Sequence, residues 1–281
     1  MKKFLFSILA VLAVVASSVL GAEAAALTTG GLILANSLPL TIDDEYDRAA
    51  YDRIKFLFQG IDGFLVQPAY IRSEQVITNT KNSYQFETRS DLLLQQNRPL
   101  NKGVDNNDLF FATSWGLFLD NRVTTSKAQV TLQTYPNSIV FAAATTGCTY
   151  AQLEIFYNSQ IQFQVGSTVF YEAYDTQRFR KVPQTQQTLA TSGAGGNWSE
   201  SQLRSNLVKV APFVVLSGAA QNKIILTVPA LPDTTDVAVD TNTQPTGENV
   251  LTLYFTGFTI KNGADKKEIA ERLEQVGIKF S

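Results

Sequence analysis

From Phe64 to Ile260 apolar residues recur mostly at every second position, the period of a strand with one face buried. SKAQVTLQTY sets Ala128, Val130 and Leu132 against Lys127, Gln129, Thr131 and Gln133. SQIQFQVG sets Ile161, Phe163 and Val165 against Gln160, Gln162 and Gln164, and NKIILTVP presents Ile224, Leu226 and Val228. Each such strand has one side turned to water or to an interface. NVLTLYFTGFTI, Asn249 to Ile260, is apolar on both faces and reads as an interior strand, bent at Gly257. TYAQLEIFYN, Thr149 to Asn158, fits either strand or helix.

Helical spacing shows at both ends of this β region. DDEYDRAAYDRIKFLFQG, Asp43 to Gly60, repeats Tyr46, Ala50, Ile54 and Leu57 at steps of four and three, with Phe58 beside them. Asp43 is placed to cap it and Gly60 to stop it. Asp43, Asp44, Glu45 and Asp47 are the solvated acidic start that a helix dipole favours, rather than a metal or acid/base cluster. NGADKKEIAERLEQVGIKFS reads as a closing helix. Asp265 and Glu268 have capping-box spacing, Ile269, Leu273 and Val276 line one face, and Gly277 ends it.

About sixteen runs of four to eight residues, punctuated by Asn, Gly, Pro and Asp, lie between Phe64 and Ile260. One sheet that wide would curl or split, so sandwiches, barrels or jelly rolls are the economical solutions. The expected fold class is all-β: two side-by-side jelly-roll barrels, a short helix before the first, and a C-terminal helix. The chain divides into an apolar N-terminal segment (1–27), an arm and short helix (28–63), a first jelly roll (64–146), a second (147–262) and a C-terminal helix (263–281). No Pro- or Ser-rich linker marks the boundary near Thr146, so the halves are expected to pack closely. Two polar loops, Gln184 to Ser201 and Pro229 to Glu248, are the expected recognition surfaces.

Composition narrows the chemistry. The 281 residues contain no histidine and one cysteine, Cys148. Imidazole bases, Ser-His and Cys-His pairs, histidine metal sites and an intrachain disulfide are thereby removed. Net charge is −2 with scattered signs, which gives direct nucleic-acid binding no support. Only 17% of residues are charged, whereas Gln, Asn, Ser and Thr are abundant, a surface suited to packing against neighbours. Glu74, Glu154 and Asp175 carry no local catalytic signal, and no metal, cofactor or catalytic residue is expected. SGAGGNW lacks the Lys-Ser/Thr of a phosphate-cradling loop. Trp198 within it is the one candidate for stacking on a glycan, and packing within its own loop is the plainer reading. Asn197-Trp198-Ser199 matches a glycosylation sequon, a pattern too common to decide anything by itself.

The amino terminus begins with Lys2 and Lys3, runs apolar from Phe4 to Leu20, and places Ala22 and Ala24 around Glu23. That is the arrangement of a secretory signal peptide, and it also suits a retained membrane-contacting helix.

The order of segments carries a resemblance. QGIDGFLVQPAYIRSEQVI, NSYQFET, NDLFFATSWGLFL, QTYPNSIVF and YEAYDTQRFRKVPQTQ follow one another from about Gly60 to Ile260. This series resembles the major capsid proteins of tailless, membrane-containing icosahedral bacteriophages, of the Flavobacterium lipid-containing phage and corticovirus type. The resemblance implies two jelly rolls standing perpendicular to a shell, homotrimeric capsomers, minor capsid proteins as partners, a virion location, and no catalytic residues. It implies an interface arm in Tyr171 to Gln187, with Tyr171, Tyr174 and Phe179 filling a neighbour's groove and Arg178, Arg180 and Lys181 pairing across the seam. The alternative for that stretch is an ordinary edge strand whose charges protect the edge. By the same resemblance Lys2, Lys3, Phe4 and Phe6 face an internal lipid membrane. Two departures stand out: the first barrel is small, and the amino terminus looks like an export signal. The latter supports a different function, an exported envelope β-sandwich (periplasm or cell surface) acting in adhesion, surface-layer formation or glycan binding. A secreted hydrolase using two carboxylates has only composition behind it.

Overall fold

The computed structural model describes residues 45–78, 80–90, 100–123, 132–136, 141, 152–182, 206–229 and 247–278. Their strands are β1 (Leu65–Val76), β2 (Ser83–Phe86), β3 (Leu109–Val123), β4 (Gln160–Val165), β5 (Thr168–Asp175), β6 (Val208–Ser217), β7 (Asn222–Thr227) and β8 (Gly247–Lys261). They form two four-stranded sheets, ordered β1-β8-β3-β6 and β2-β7-β4-β5. The pairs β3–β6, β3–β8, β2–β7, β4–β5 and β4–β7 are antiparallel. The fold is all-β with few helices.

The described strands build one pair of sheets, where the sequence reading expected two barrels parted near Thr146. Each sheet takes strands from both sides of that boundary. The physical reason lies in strand length: β1 has 12 residues, and β3 and β8 have 15 each. Strands this long take up two of the short runs into which punctuation cuts the sequence.

The core lies between the sheets. The first sheet contributes Phe110, Ala112, Trp115, Leu117 and Leu119 from β3 and Leu251, Leu253 and Phe255 from β8. The second contributes Tyr84, Phe86, Ile161, Phe163, Val165, Ile224 and Leu226. The alternation read in β4 and β7 holds as expected, with the glutamines of β4 turned away from the core. The interior reading of β8 also holds: it lies between β1 and β3. Its expected bend at Gly257 is a bulge carried by the partner strand. Register slips between Ala112 and Ser114, opposite Gly257 and Thr256. A Cβ on Gly257 would come within 1.8 Å of the Phe111 carbonyl oxygen, so only glycine lets the strands close there.

The ambiguous Thr149–Asn158 stretch contains a 3-10 helix, Gln152–Tyr157, which buries Leu153, Phe156 and Tyr157. The period-two run before it ends differently from its reading. Gln133, expected on the wet side, is buried and bridges Leu119 of β3 through both backbone groups. The earlier part of that run, through Thr131, lies outside the described residues, as do Cys148, most of both long loops with Trp198, and the segment holding Lys2, Lys3, Phe4 and Phe6.

The chain clusters into two compact units, residues 1–66 and 67–281. In the first, helix α1 (Glu45–Leu57) buries Ala50 and Ile54 as its spacing predicts. Phe58 packs edge-on against Phe64 at 5.7 Å, and Gly60 turns the chain at φ 83°. Phe56 is 78% exposed.

In the second unit, helix α2 (Lys267–Gln275) buries Ile269 and Leu273. Gly277 ends it at φ 87°, with Gly277 N–H donating to Glu274 and Ile278 N–H to Leu273. Two details of the reading are corrected. The residue before the helix is Lys266 and no side chain caps it, so Asp265 and Glu268 form no capping box. Val276 is exposed, because the helix has ended and the chain turns before it can join the buried stripe. No helix among the described residues is long and apolar enough to cross a membrane.

Candidate functional site

Tyr171 to Lys181 begins on β5, an edge of the second sheet, and leaves it through a 3-10 helix, Thr176–Phe179. The turn off the sheet is secured locally. The Asp175 carboxylate accepts from Gln177 N–H at 2.9 Å and so caps the short helix. Buried Thr176 accepts from Ser159 N–H and donates its hydroxyl to the Ser159 carbonyl, at 2.9 and 2.8 Å. These bonds fix the angle at which the segment departs.

The three aromatics of the segment turn inward. Tyr171 stacks on fully buried Trp115 at 5.6 Å and 13°. Tyr174 and Phe179 meet the same indole edge-on at 4.7 and 4.9 Å. Phe163 and Phe255 complete the ring of contacts, each at 5.7 Å. Aromatic pairs of this kind contribute about 0.5–1.5 kcal/mol each beyond the area they bury. Trp115 is the residue the sequence reading passed over, and it joins the two sheets. Its only signal is a bulky indole inside a run apolar on both faces.

The cations are divided. Arg180 makes a bidentate pair with Glu154 of the same chain at 2.8 and 2.7 Å, and that bonding raises the guanidinium's already high pKa. Glu154 stands 26 positions away, so no local motif could have announced it. The Lys181 ammonium donates to the Leu207 carbonyl at 3.3 Å, and burial lowers its pKa. The Lys181 backbone is tied to Thr134 through both its N–H and its carbonyl. Arg178 is exposed, its guanidinium 5.4 Å from the Tyr174 ring. The six residues named from the sequence thus gather in one region, with Tyr171, Tyr174, Phe179 and Arg180 engaged within their own chain.

No protein family, curated protein or solved structure matches this chain.

What the segment leaves outside is a largely polar and uncharged face. Outward from the second sheet point Ser83 and Gln85 of β2, Lys223, Ile225 and Thr227 of β7, and Gln160, Gln162 and Gln164 of β4. Register aligns them in rows: Ser83, Thr227, Gln160 and Asp175 across one end, Gln85, Ile225 and Gln162 in the middle, Lys223, Gln164 and Val169 across the other. Amide and hydroxyl groups in such rows can donate and accept across a contact.

Glu74, the remaining carboxylate singled out from the sequence, and Asp108, which was not, are both paired within the chain. Glu74 is buried and paired with Arg72 at 2.8 Å. Asp108 accepts from the Lys261 ammonium at 2.5 Å and from Asn262 N–H at 3.0 Å, where β8 turns toward α2. Among the described residues no group of three or more Cys, Asp or Glu is arranged to hold a metal.

Proposed function

We propose that the chain is a structural, self-assembling shell protein of the type found in membrane-containing icosahedral phages, its copies joining as trimeric capsomers. One observation carries the reading: the strand order β1-β8-β3-β6 over β2-β7-β4-β5. Successive strands mostly cross between the two sheets, giving the eight-stranded double-sheet jelly roll of viral capsid and lectin domains. The two-barrel form of the expectation would need a second set of strands, and the described residues supply one set. A single jelly roll is therefore the unit of the proposal. The neutral outer face of the second sheet supports assembly, since glutamine and hydroxyl groups lose little when a neighbour replaces water and returns their hydrogen bonds.

Within this reading the proposed interface at Tyr171 to Lys181 narrows to exposed Arg178 and the outer side of β5, because the aromatics are occupied at home. The proposed membrane contact through Lys2, Lys3, Phe4 and Phe6 and the association with minor capsid proteins rest on the sequence and the resemblance alone. Light scattering on the full chain after size exclusion tests the reading: trimers or larger species are expected. Electron microscopy of material from the source should then show a regular icosahedral lattice. A monodisperse single-chain species that captures a glycan would overturn it in favour of the exported envelope protein. Intact mass of purified particles tests the membrane contact, which fails if the chain starts near Ala25.

A further inference from the structure

We infer that the outer face of the second sheet is a two-fold contact surface whose occupant is the same face of a second copy of this chain. The inference rests on the shell reading and names the surface that joins one capsomer to the next.

Charge placement argues for a second copy. Across β2, β7 and β4 the middle of the face is neutral, where Gln85, Ile225 and Gln162 form one row, and Glu172 on edge strand β5 is the charge nearest to it. Its charges sit apart. Lys223 lies on β7 in the row of Gln164, and Asp175 lies on β5 in the row of Gln160. Two strand spacings and four residues separate them, about 10 Å across the sheet and about 13 Å along it. Exposed Glu172 stands between them along β5. The cation and the carboxylates therefore occupy opposite parts of one surface. When two copies meet face to face with strands crossed near a right angle, a two-fold axis through Gln162 brings each Lys223 over the acids of the other copy. Orthogonal crossing is one of the two stable ways sheets stack. The same axis lays the β4 glutamines across the Ile225–Gln162 row of the other copy, so that Gln162 meets Gln162, where each amide both donates and accepts. A single pairing thus satisfies both the charges and the amides, as an isologous contact requires.

The test uses the full chain with Lys223→Glu and, separately, Glu172→Lys. Both positions are off the core, so near-ultraviolet circular dichroism should match wild type. Wild type is expected to pass beyond the trimer as concentration rises. Lys223→Glu places like charges together twice per contact and should raise the concentration needed by about tenfold or more. Mixing the two variants in equal amounts should restore assembly, since each then meets an opposite charge. Wild type that stays monomeric overturns the shell reading and this surface together. Wild type that assembles, with Lys223→Glu assembling equally well or with the mixture failing to recover, overturns this surface alone.

Discussion

The two sheets share one core and differ in what lies behind them. In the first sheet, residues alternate between the core and an opposite face that is buried as well. Leu109, Phe111 and Phe118 of β3 and Val250 and Thr252 of β8 point away from the core and are at most 2% exposed. At one end α2 lies over this face, with Leu109 and Leu273 lining a common cavity of about 150 Å³. In the second sheet the opposite face is polar, shorter and open. Burial on one side builds the sandwich, while burial on both sides marks the sheet that also receives α2.

The comparison can be broken most forcefully at the shared core. Trp115→Ala removes the indole on which Tyr171, Tyr174 and Phe179 meet, and should lower unfolding free energy by about 3–5 kcal/mol in urea titration. A loss below about 1 kcal/mol would mean the sheets are held together elsewhere.

The asymmetry itself is tested by Phe118→Ala beside Gln162→Ala. Both side chains point away from the core, one from each sheet. Phe118→Ala should cost about 3 kcal/mol or more, and Gln162→Ala should stay within about 0.5 kcal/mol. Equal effects would erase the distinction between the sheets.

Alkaline pH sharpens the role of the 3-10 helix before β4. Burial holds the Tyr157 hydroxyl well above its ordinary value of 10.0, while it donates to the Gln133 carbonyl at 3.1 Å. The unfolded chain ionises this tyrosine near 10.0 and the folded chain does not. Its contribution is therefore full below that pH and is lost as pH rises toward the folded value. Tyr157→Phe should flatten the fall in stability between about pH 8 and about pH 11, read as the difference in urea midpoints between variant and wild type.

The smallest effect is expected at Arg180→Ala. Its pair with Glu154 is partly exposed, at 39% and 31%, and such pairs contribute about 0.2–1 kcal/mol. Assembly measured by light scattering should be unchanged, since the guanidinium is engaged within its own chain. A loss of trimers would return Arg180 to the interface.

Legibility followed the physics of each element. The glutamine alternation of β4 and the Ile224–Leu226 alternation of β7 were readable because a half-wet strand writes its two faces into successive residues. Of the first sheet only β8 was readable, and only as interior, since a strand buried on both sides has no alternation to show which side meets which partner. Tyr171, Tyr174 and Phe179 lie close together in the sequence, but their direction could not be read. An aromatic suits a neighbour's groove and its own core equally well until the position of Trp115 is known.

Local pattern was enough for an all-β class, for a helix within Asp43–Gly60 and another within Asn262–Ser281, for Gly277 closing the second, and for the absence of histidine chemistry. These properties depend on local periodicity, on backbone conformation or on composition. Only the tertiary structure decided that the described strands make one sandwich, that Arg180 belongs to Glu154, and that Trp115 gathers the aromatics. Pairing between residues far apart in the chain depends on register and crossing. Both arise from packing all the strands at once, which no short window of sequence contains.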